Sequence, residues 1–398
     1  MIPVEFVLFA ATLAGVAVFH HHTLVIALSG LAAITAYKLG VSGFEGGPGL
    51  SGLVGHLAHE WVILANLAGL LLGFAILARH FEKSHLPLAL PRYLPDDWRG
   101  GFALLGIVFV LSSFLDNIAA AMIGAAMAHT LFAEVHIGFL AAIVAASNAG
   151  GAGSVVGDTT TTMMWLDGVS PFDVFHAYVA AVPALVVSGL IAARQQHALS
   201  PILASVRHEP KLDWARVGIV AAILFSAIAA NVSLNFWTGE LAGRVPVLGL
   251  TVWLVILVSA RVRRPDWELL GEATRGALFL LSLVLAASMM PVDRLPHPSW
   301  PTTLGLGFIS AVFDNIPLTK LALEQGGYDW GVLAYSVGYG GSMIWFGSSA
   351  GVAVSNLFPQ ARSVGAWVKG GWHVTLAYLI GFGAMLAILG WNPHLPHR

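Results

Sequence analysis

Eight uninterrupted apolar stretches, near 4–19, 24–40, 61–79, 174–193, 215–235, 246–260, 276–291 and 367–391, dominate this chain of 398 residues. A helix that crosses a bilayer takes about 20 mostly apolar residues. A chain built this way folds only where lipid replaces water around most of its surface. Composition agrees, since 57% of residues are apolar and 10% charged, against roughly 25% charged in soluble domains. The length has room for about ten spans, and the loops are too short to hold an extramembrane domain. No basic cluster argues for a nucleic-acid partner, and the absence of cysteine removes disulfides and thiolate ligands. The first stretch carries Glu5 and no Lys or Arg before it, unlike a secretory leader. It reads as a retained helix.

Three further regions, 101–132, 137–165 and 302–358, are apolar but broken by polar and Gly-rich sequence; the last divides near Gly326-Gly327. Unsatisfied backbone is costly in lipid, so broken helices belong where they line a protected cavity. The breaks recur. Ser113-Phe114-Leu115-Asp116-Asn117-Ile118 resembles Ala311-Val312-Phe313-Asp314-Asn315-Ile316, about two hundred residues later. Downstream of each comes a glycine pair and a third glycine: Gly150-Gly151 with Gly157, then Gly340-Gly341 with Gly347. The same order in both halves points to an internal duplication.

The expected fold is therefore an all-α polytopic membrane protein of two inverted repeats. Each repeat has five spanning helices, with a re-entrant hairpin (101–132; 302–325) and a broken helix (137–165; 328–358). The first repeat covers 1–194, a cytoplasmic linker 195–213, and the second repeat 214–398. An odd number of crossings per half inverts the second repeat. Charge supports the hairpins, because the basic loops 80–100, 195–213 and 262–275 then share one face. The other face collects Lys38, Arg244, Arg294 and Arg398. Lys and Arg favour the cytoplasmic side, which puts both termini in the periplasm.

Asp116, Asp158 and Asp314 lie within apolar segments. A carboxylate at the bilayer centre costs about 2.5–3.5 kcal/mol on insertion scales, so it usually faces a pathway or a partner. Alternatively the three serve as helix caps, a role Asp fills well. Asp116, Asn117, Asp158, Thr159, Thr160 and Thr161 offer hard oxygen ligands, as do Asp314, Asn315, Ser348 and Ser349 in the second half. Alignment on the third glycine sets Ser348 against Asp158, so the first half has two carboxylates and the second one. Two carboxylates in one dry site cannot both ionise cheaply. Such a pair can hold protons at low pH and exchange them for a metal ion at higher pH. Asp116 and Asp158 are the expected ligands of that transported metal ion.

Asp116-Asn117, Ser147-Asn148-Ala149-Gly150-Gly151 through Gly157-Asp158-Thr159-Thr160-Thr161, Asp314-Asn315-Ile316-Pro317-Leu318 and Gly340-Gly341-Ser342 resemble the motifs of the NhaD-type sodium/proton antiporters. That family belongs to the ion transporter superfamily, whose fold has two inverted repeats, each with a hairpin and a broken helix. The resemblance covers roughly residues 56–391. It implies cation-site roles for Asp116, Asn117, Asn148, Asp158, Thr160, Thr161, Asp314 and Ser342, and a tendency to form homodimers through helices outside the hairpins. Two departures stand out. The family usually has Thr three residues after the first hairpin Asp, where this chain has Ala119. Its third helix carries several acids near a histidine, where this chain has His59 and Glu60, then Asn66 and Arg79.

The implied function is secondary active exchange of sodium or lithium for protons by alternating access. The setting is a bacterial cytoplasmic membrane, with no cofactor and no enzymatic step. The alternative is a sodium-coupled symporter of an anion such as a dicarboxylate on the same fold, although an Asp at each hairpin tip would repel such a substrate. Other residues read less specifically. The run His20-His21-His22 sits in a turn between helices, and His129 and His136 flank a hairpin end. Lys320 either neutralises a hairpin acid, replaces a cation or snorkels toward the interface. Trp61, Trp98, Trp214, Trp237 and Trp367 are expected at helix ends as interface anchors, and Met163 and Met164 in packing.

Overall fold

The structure, a computed structural model, describes residues 3–19, 22–44, 46–89, 94–203, 211–237 and 244–395. His20 and His21, residues 204–210 of the linker and Arg398 lie outside the described residues. Regular structure among the described residues is helical: α1 (Val4–Val18), α2 (Thr23–Tyr37), α3 (Gly49–Lys83), α4 (Leu86–Ala89), α5 (Trp98–Ser112), α6 (Asn117–Leu131), α7 (Ile137–Ala152), α8 (Thr159–Leu166), α9 (Pro171–Phe175) and α10 (Tyr178–Leu199). The chain continues through α11 (Trp214–Trp237), α12 (Val247–Ser259), α13 (Leu269–Ser288), α14 (Trp300–Ser310), α15 (Asn315–Gln325), α16 (Trp330–Gly340), α17 (Ser349–Leu357), α18 (Val364–Gly370) and α19 (Trp372–Leu389). Among the described residues, five helical stretches are long and apolar enough to cross a membrane: Thr23–Ser42, Gly49–Lys83, Pro171–Leu199, Leu269–Ser288 and Trp372–Leu389. This is a multi-pass helical membrane protein.

Each break in the apolar pattern is a real helix end with its own cap. Asp116 has non-helical φ −52° and ψ 140°, and its carboxylate accepts from Ile118 N, starting α6. Asp158 does the same for α8 from extended backbone, with Oδ1 2.9 Å from Thr160 N. Ser348 caps α17 through Gly351 N, and Asp314 accepts from Ile316 N at the start of α15. Short oxygen-bearing side chains satisfy the orphan N–H groups of a helix start, so these residues are caps in addition to any other role. Gly326 and Gly327, where 302–358 divides, both have positive φ, 69° and 76°, a conformation costly for other residues. One stretch expected to be continuous is not. The segment 367–391 ends one helix at Gly370 and starts the next at Trp372. A side chain at Gly371 would meet Ala141 Cβ and the Trp367 carbonyl within 3 Å, so the chain turns there.

Two compact units divide the chain, and each draws on both halves of the sequence. The first comprises 1–79, 218–295 and 320–325; the second 80–217, 296–319 and 326–398. In the first, α2 packs on α1 and α13. Close approach of α3 and α12 is set by Gly69, since a Cβ there would lie 2.8 Å from Gly249 Cα. Asn66 Oδ1 accepts from Gly249 N, and Trp253 Nε1 donates to Gly69 O, sealing that contact. In the second unit α7 is the axis. All its residues after Ile137 are buried, and α5, α6, α10, α16, α17, α18 and α19 pack around it. α16 is buried along its whole length. A helix apolar on every side must be enclosed, and these two bring the breaks after them into the interior.

Candidate cation site

The C-terminal end of α7 and the N-terminal end of α8 come together on glycines. A Cβ at Gly150 would sit 2.0 Å from Phe109 O, and one at Gly157 2.0 Å from Ser112 O, both on α5. Gly151 and Gly157 face each other, with a Gly151 Cβ 2.9 Å from Gly157 O and 3.0 Å from Asp158 Cβ. The second half repeats this pattern. An added Cβ would meet Gly307 O at Gly340 and Ala311 O at Gly347, and one at Gly341 would lie 2.8 Å from Gly347 O and 3.2 Å from Ser348 Cβ. Phe109 and Gly307 each lie seven residues before an Asp-Asn pair. The glycine motif is thus a packing requirement: only residues without a side chain let the helix before the Asp-Asn turn reach the broken helix. Gly150→Ala is expected to destabilise the protein by about 1–3 kcal/mol or more, the range for overpacking, and Gly340→Ala likewise. Gly365→Ala, at a position with open space around it, is the control. Thermal unfolding of the detergent-solubilised protein reads the difference.

This packing delivers five polar side chains to one another. Asn117 Nδ2, on the first residue of α6, lies 3.2 Å from Asp158 Oδ2 and 3.1 Å from Asn148 Oδ1. From the middle of α7, Asn148 uses its own Nδ2 to reach Ser342 Oγ at 2.9 Å and Ser348 Oγ at 3.2 Å. Asn117, Asn148, Asp158, Ser342 and Ser348 are all buried. Asp116 and Asp314 are the other acids whose charge acts on Asp158, Asp116 the more strongly. Asp314 itself accepts from Ser349 Oγ at 3.2 Å. Thr160 contributes its amide to Asp158. The Thr161 hydroxyl donates to Ser154 O and Asp158 O, which ties the loop between α7 and α8. Asn315 is buried, but its amide nitrogen has no partner among the described residues. The sequence-derived set therefore divides. Asn117, Asn148, Asp158, Ser342 and Ser348 form one network, Asp116 and Asp314 flank it as caps, Thr160 and Thr161 hold Asp158 from the start of α8, and Asn315 stays outside it.

A carboxylate, amide oxygens and hydroxyls gathered at helix ends make a hard-oxygen environment suited to an alkali cation. Among the described residues no three His, Asp or Glu side chains are grouped to hold a metal ion.

No family model matches the chain. It is similar to Sodium/proton antiporter 1 of Arabidopsis thaliana, 29% identical over 340 residues that make up 75% of this chain and 56% of that protein. Sodium/proton antiporter 2 of the same plant is 29% identical over 296 residues, 64% of this chain and 68% of that protein. The Na(+)/H(+) antiporter NhaD of Halomonas elongata is 25% identical over 359 residues, 73% of this chain and 67% of that protein. These similarities agree with the resemblance of the motifs to the NhaD-type antiporters. The chain spans 56% of the length of the first of these relatives.

Three features of this chain differ from the sequence expectation. Lys320 neither snorkels nor serves Asp314. Its side chain is 4% exposed and its ammonium pairs with Glu60 and Glu324. Trp367 is no interface anchor, being 1% exposed and donating Nε1 to Ser342 O at 3.1 Å, directly behind the network. Its place on α18, which packs on α7, turns it inward. Trp61 lies well inside α3, which begins at Gly49, not at a helix end. Met163 and Met164 are buried packing residues. His136 caps α7 through Gly138 N, and His129 packs against the Phe358 ring. Sequence reading passed over Glu324, although its i,i+4 spacing from Lys320 marks a helical ion pair. It also passed over Tyr178, whose hydroxyl accompanies Ser113 onto the Gly150 carbonyl.

Proposed function

We propose that this protein exchanges sodium, or lithium, for protons across a bacterial cytoplasmic membrane by alternating access. The observation that carries this reading is the buried network in which Asn117 links Asp158 to Asn148, and Asn148 reaches Ser342 and Ser348. A single ionisable carboxylate set among neutral oxygens binds either a proton or a monovalent cation, and binding one displaces the other. Asp116 is the second carboxylate of this reading, and two carboxylates in one dry site do not both ionise cheaply. The names of the relatives support the same exchange.

The chain order that fits this function is two inverted repeats, 1–194 and 214–398, each with a re-entrant hairpin and a broken helix. Half-helices support it: α5, α6, α14 and α15 have 15, 15, 11 and 11 residues. At 1.5 Å per residue these reach roughly 16–23 Å, short of the ~30 Å apolar core. The matched glycine contacts in the two halves support the duplication. On this topology both termini are periplasmic and the loop 262–275 is cytoplasmic. Arg264, exposed in that loop, suits the test, because the chain has no native cysteine. Arg264→Cys is expected to resist an impermeant thiol reagent in intact cells and to react in everted vesicles; labelling from outside would reverse the topology.

Exchange itself is measured by fluorescence dequenching in everted vesicles. Sodium and lithium are expected to release the proton gradient, whereas potassium and a dicarboxylate leave it in place. A response to the dicarboxylate that requires sodium would instead establish the anion symporter, which the relatives' names do not favour.

A further inference from the structure

α16 carries three glycines, and two of them have a packing reason. A Cβ at Gly331 would lie 2.6 Å from Asp173 O and 2.8 Å from His176 Cβ, and one at Gly340 would run into Gly307 O. Gly338 has no such reason. A Cβ there would meet Ala152 Cβ at 3.4 Å, with Asn148 O and Asp158 Oδ2 each at 3.8 Å, which is ordinary van der Waals contact. Glycine in a helix interior is less stable than alanine. α16 therefore gives up stability at a position where the fold would accept a methyl group.

The neighbours of that position show what is gained. Gly338 precedes Gly340-Gly341 by two residues, as Asn148 precedes Gly150-Gly151. Asn148 reaches Ser342, two residues after Gly340, and Ser348, one after Gly347. A side chain at 338 would face Ala152 and Asp158, two residues after Gly150 and one after Gly157. The two positions thus look across at matching residues of the opposite half, and only the first half fills its side with an amide. α16 packs on both α7 and α8, so it walls this approach to Asp158 Oδ2, and residue 338 sets how much room is left there.

We propose that Gly338 is a specificity-determining residue, whose missing side chain leaves the room beside Asp158 Oδ2 and Asn148 O in which the transported cation sits. This rests on the exchange reading above and adds which residue sizes the ion: Asp158 supplies the charge and Gly338 the space. A methyl group touching both oxygens would take the side from which an ion approaches them. Sodium, the larger ion, loses more by this than lithium does.

Thermal stabilisation of the purified full chain by sodium and by lithium, titrated separately in detergent, tests this without requiring transport, since an ion that binds the folded state raises its melting temperature. The wild type is expected to respond to both ions. Without either ion, Gly338→Ala is expected to melt at or above the wild type, because alanine is the better helix former. Its sodium midpoint should rise by about tenfold or more, the least that one methylene makes in a fitted pocket, and its lithium midpoint by less. Gly365→Ala, with open space around it, should leave both midpoints unchanged. A Gly338→Ala protein that melts well below the wild type without ions would make the glycine a packing requirement and overturn the proposal. So would a wild-type sodium midpoint in that variant, or a loss that falls on lithium as heavily as on sodium. A wild type indifferent to both ions would overturn the exchange reading as well, whereas a responding wild type with an unchanged variant overturns this inference alone.

Discussion

Asp158→Asn is expected to reduce cation-dependent proton movement to the level of vesicles lacking the protein, at unchanged membrane abundance. Asn at this position still offers an oxygen to Thr160 N, so the start of α8 stays capped. What it cannot do is receive Asn117. Asn117 Nδ2 serves both Asp158 Oδ2 and Asn148 Oδ1, and a carboxamide at 158 sets N–H against N–H. Rotating the Asn117 amide to suit would break its bond to Asn148. The variant therefore loses the negative charge and the organisation of its neighbours together, while the fold persists. Asp116→Asn removes the other charge of the pair and is expected to abolish exchange as well, with its cap to Ile118 N intact. Near wild-type exchange in both variants, at matched expression, would make the carboxylates structural caps only.

The second large effect is a contrast. Asp158→Glu is expected to move the pH dependence of apparent sodium affinity, whereas Asp314→Asn lowers transport with the profile nearly in place. A longer side chain at 158 changes its separation from Asp116, and with it the repulsion that decides when a proton is bound. Asp314 acts on Asp158 less than Asp116 does. Its carboxylate is engaged with Ile316 N and Ser349 Oγ, contacts that an amide largely reproduces. Measuring apparent sodium affinity against pH in both variants decides the matter. A shifted profile in Asp314→Asn and none in Asp158→Glu would move the coupling site to the second half.

Trp367 and Lys320 illustrate how burial escapes local reading. A Trp near the start of an apolar stretch fits an interface anchor, and a Lys in a short amphipathic helix fits a snorkelling chain. Nothing within several residues of Trp367 distinguishes that outcome from the observed one, and for Lys320 the one local sign is Glu324, four residues on. Trp367 turns inward because α18 packs on α7, and Lys320 is retained inside because Glu60, 260 positions away in the chain, meets it there.

The sequence by itself determined the membrane class, the positions of the helix breaks, the glycines that permit close approach and the short oxygen-bearing caps. Each of these is a local requirement of backbone and solvent, written within a few residues: apolar length for lipid, a missing Cβ for contact, an acceptor for orphan N–H groups. Tertiary structure alone decided that Asn148 joins Asn117 to Ser342 and Ser348, that Lys320 stands between Glu60 and Glu324, and that each compact unit takes segments from both halves. Such pairings depend on which helix faces meet. A polar side chain in an apolar helix announces that it needs a partner, but carries no record of which one the fold supplies.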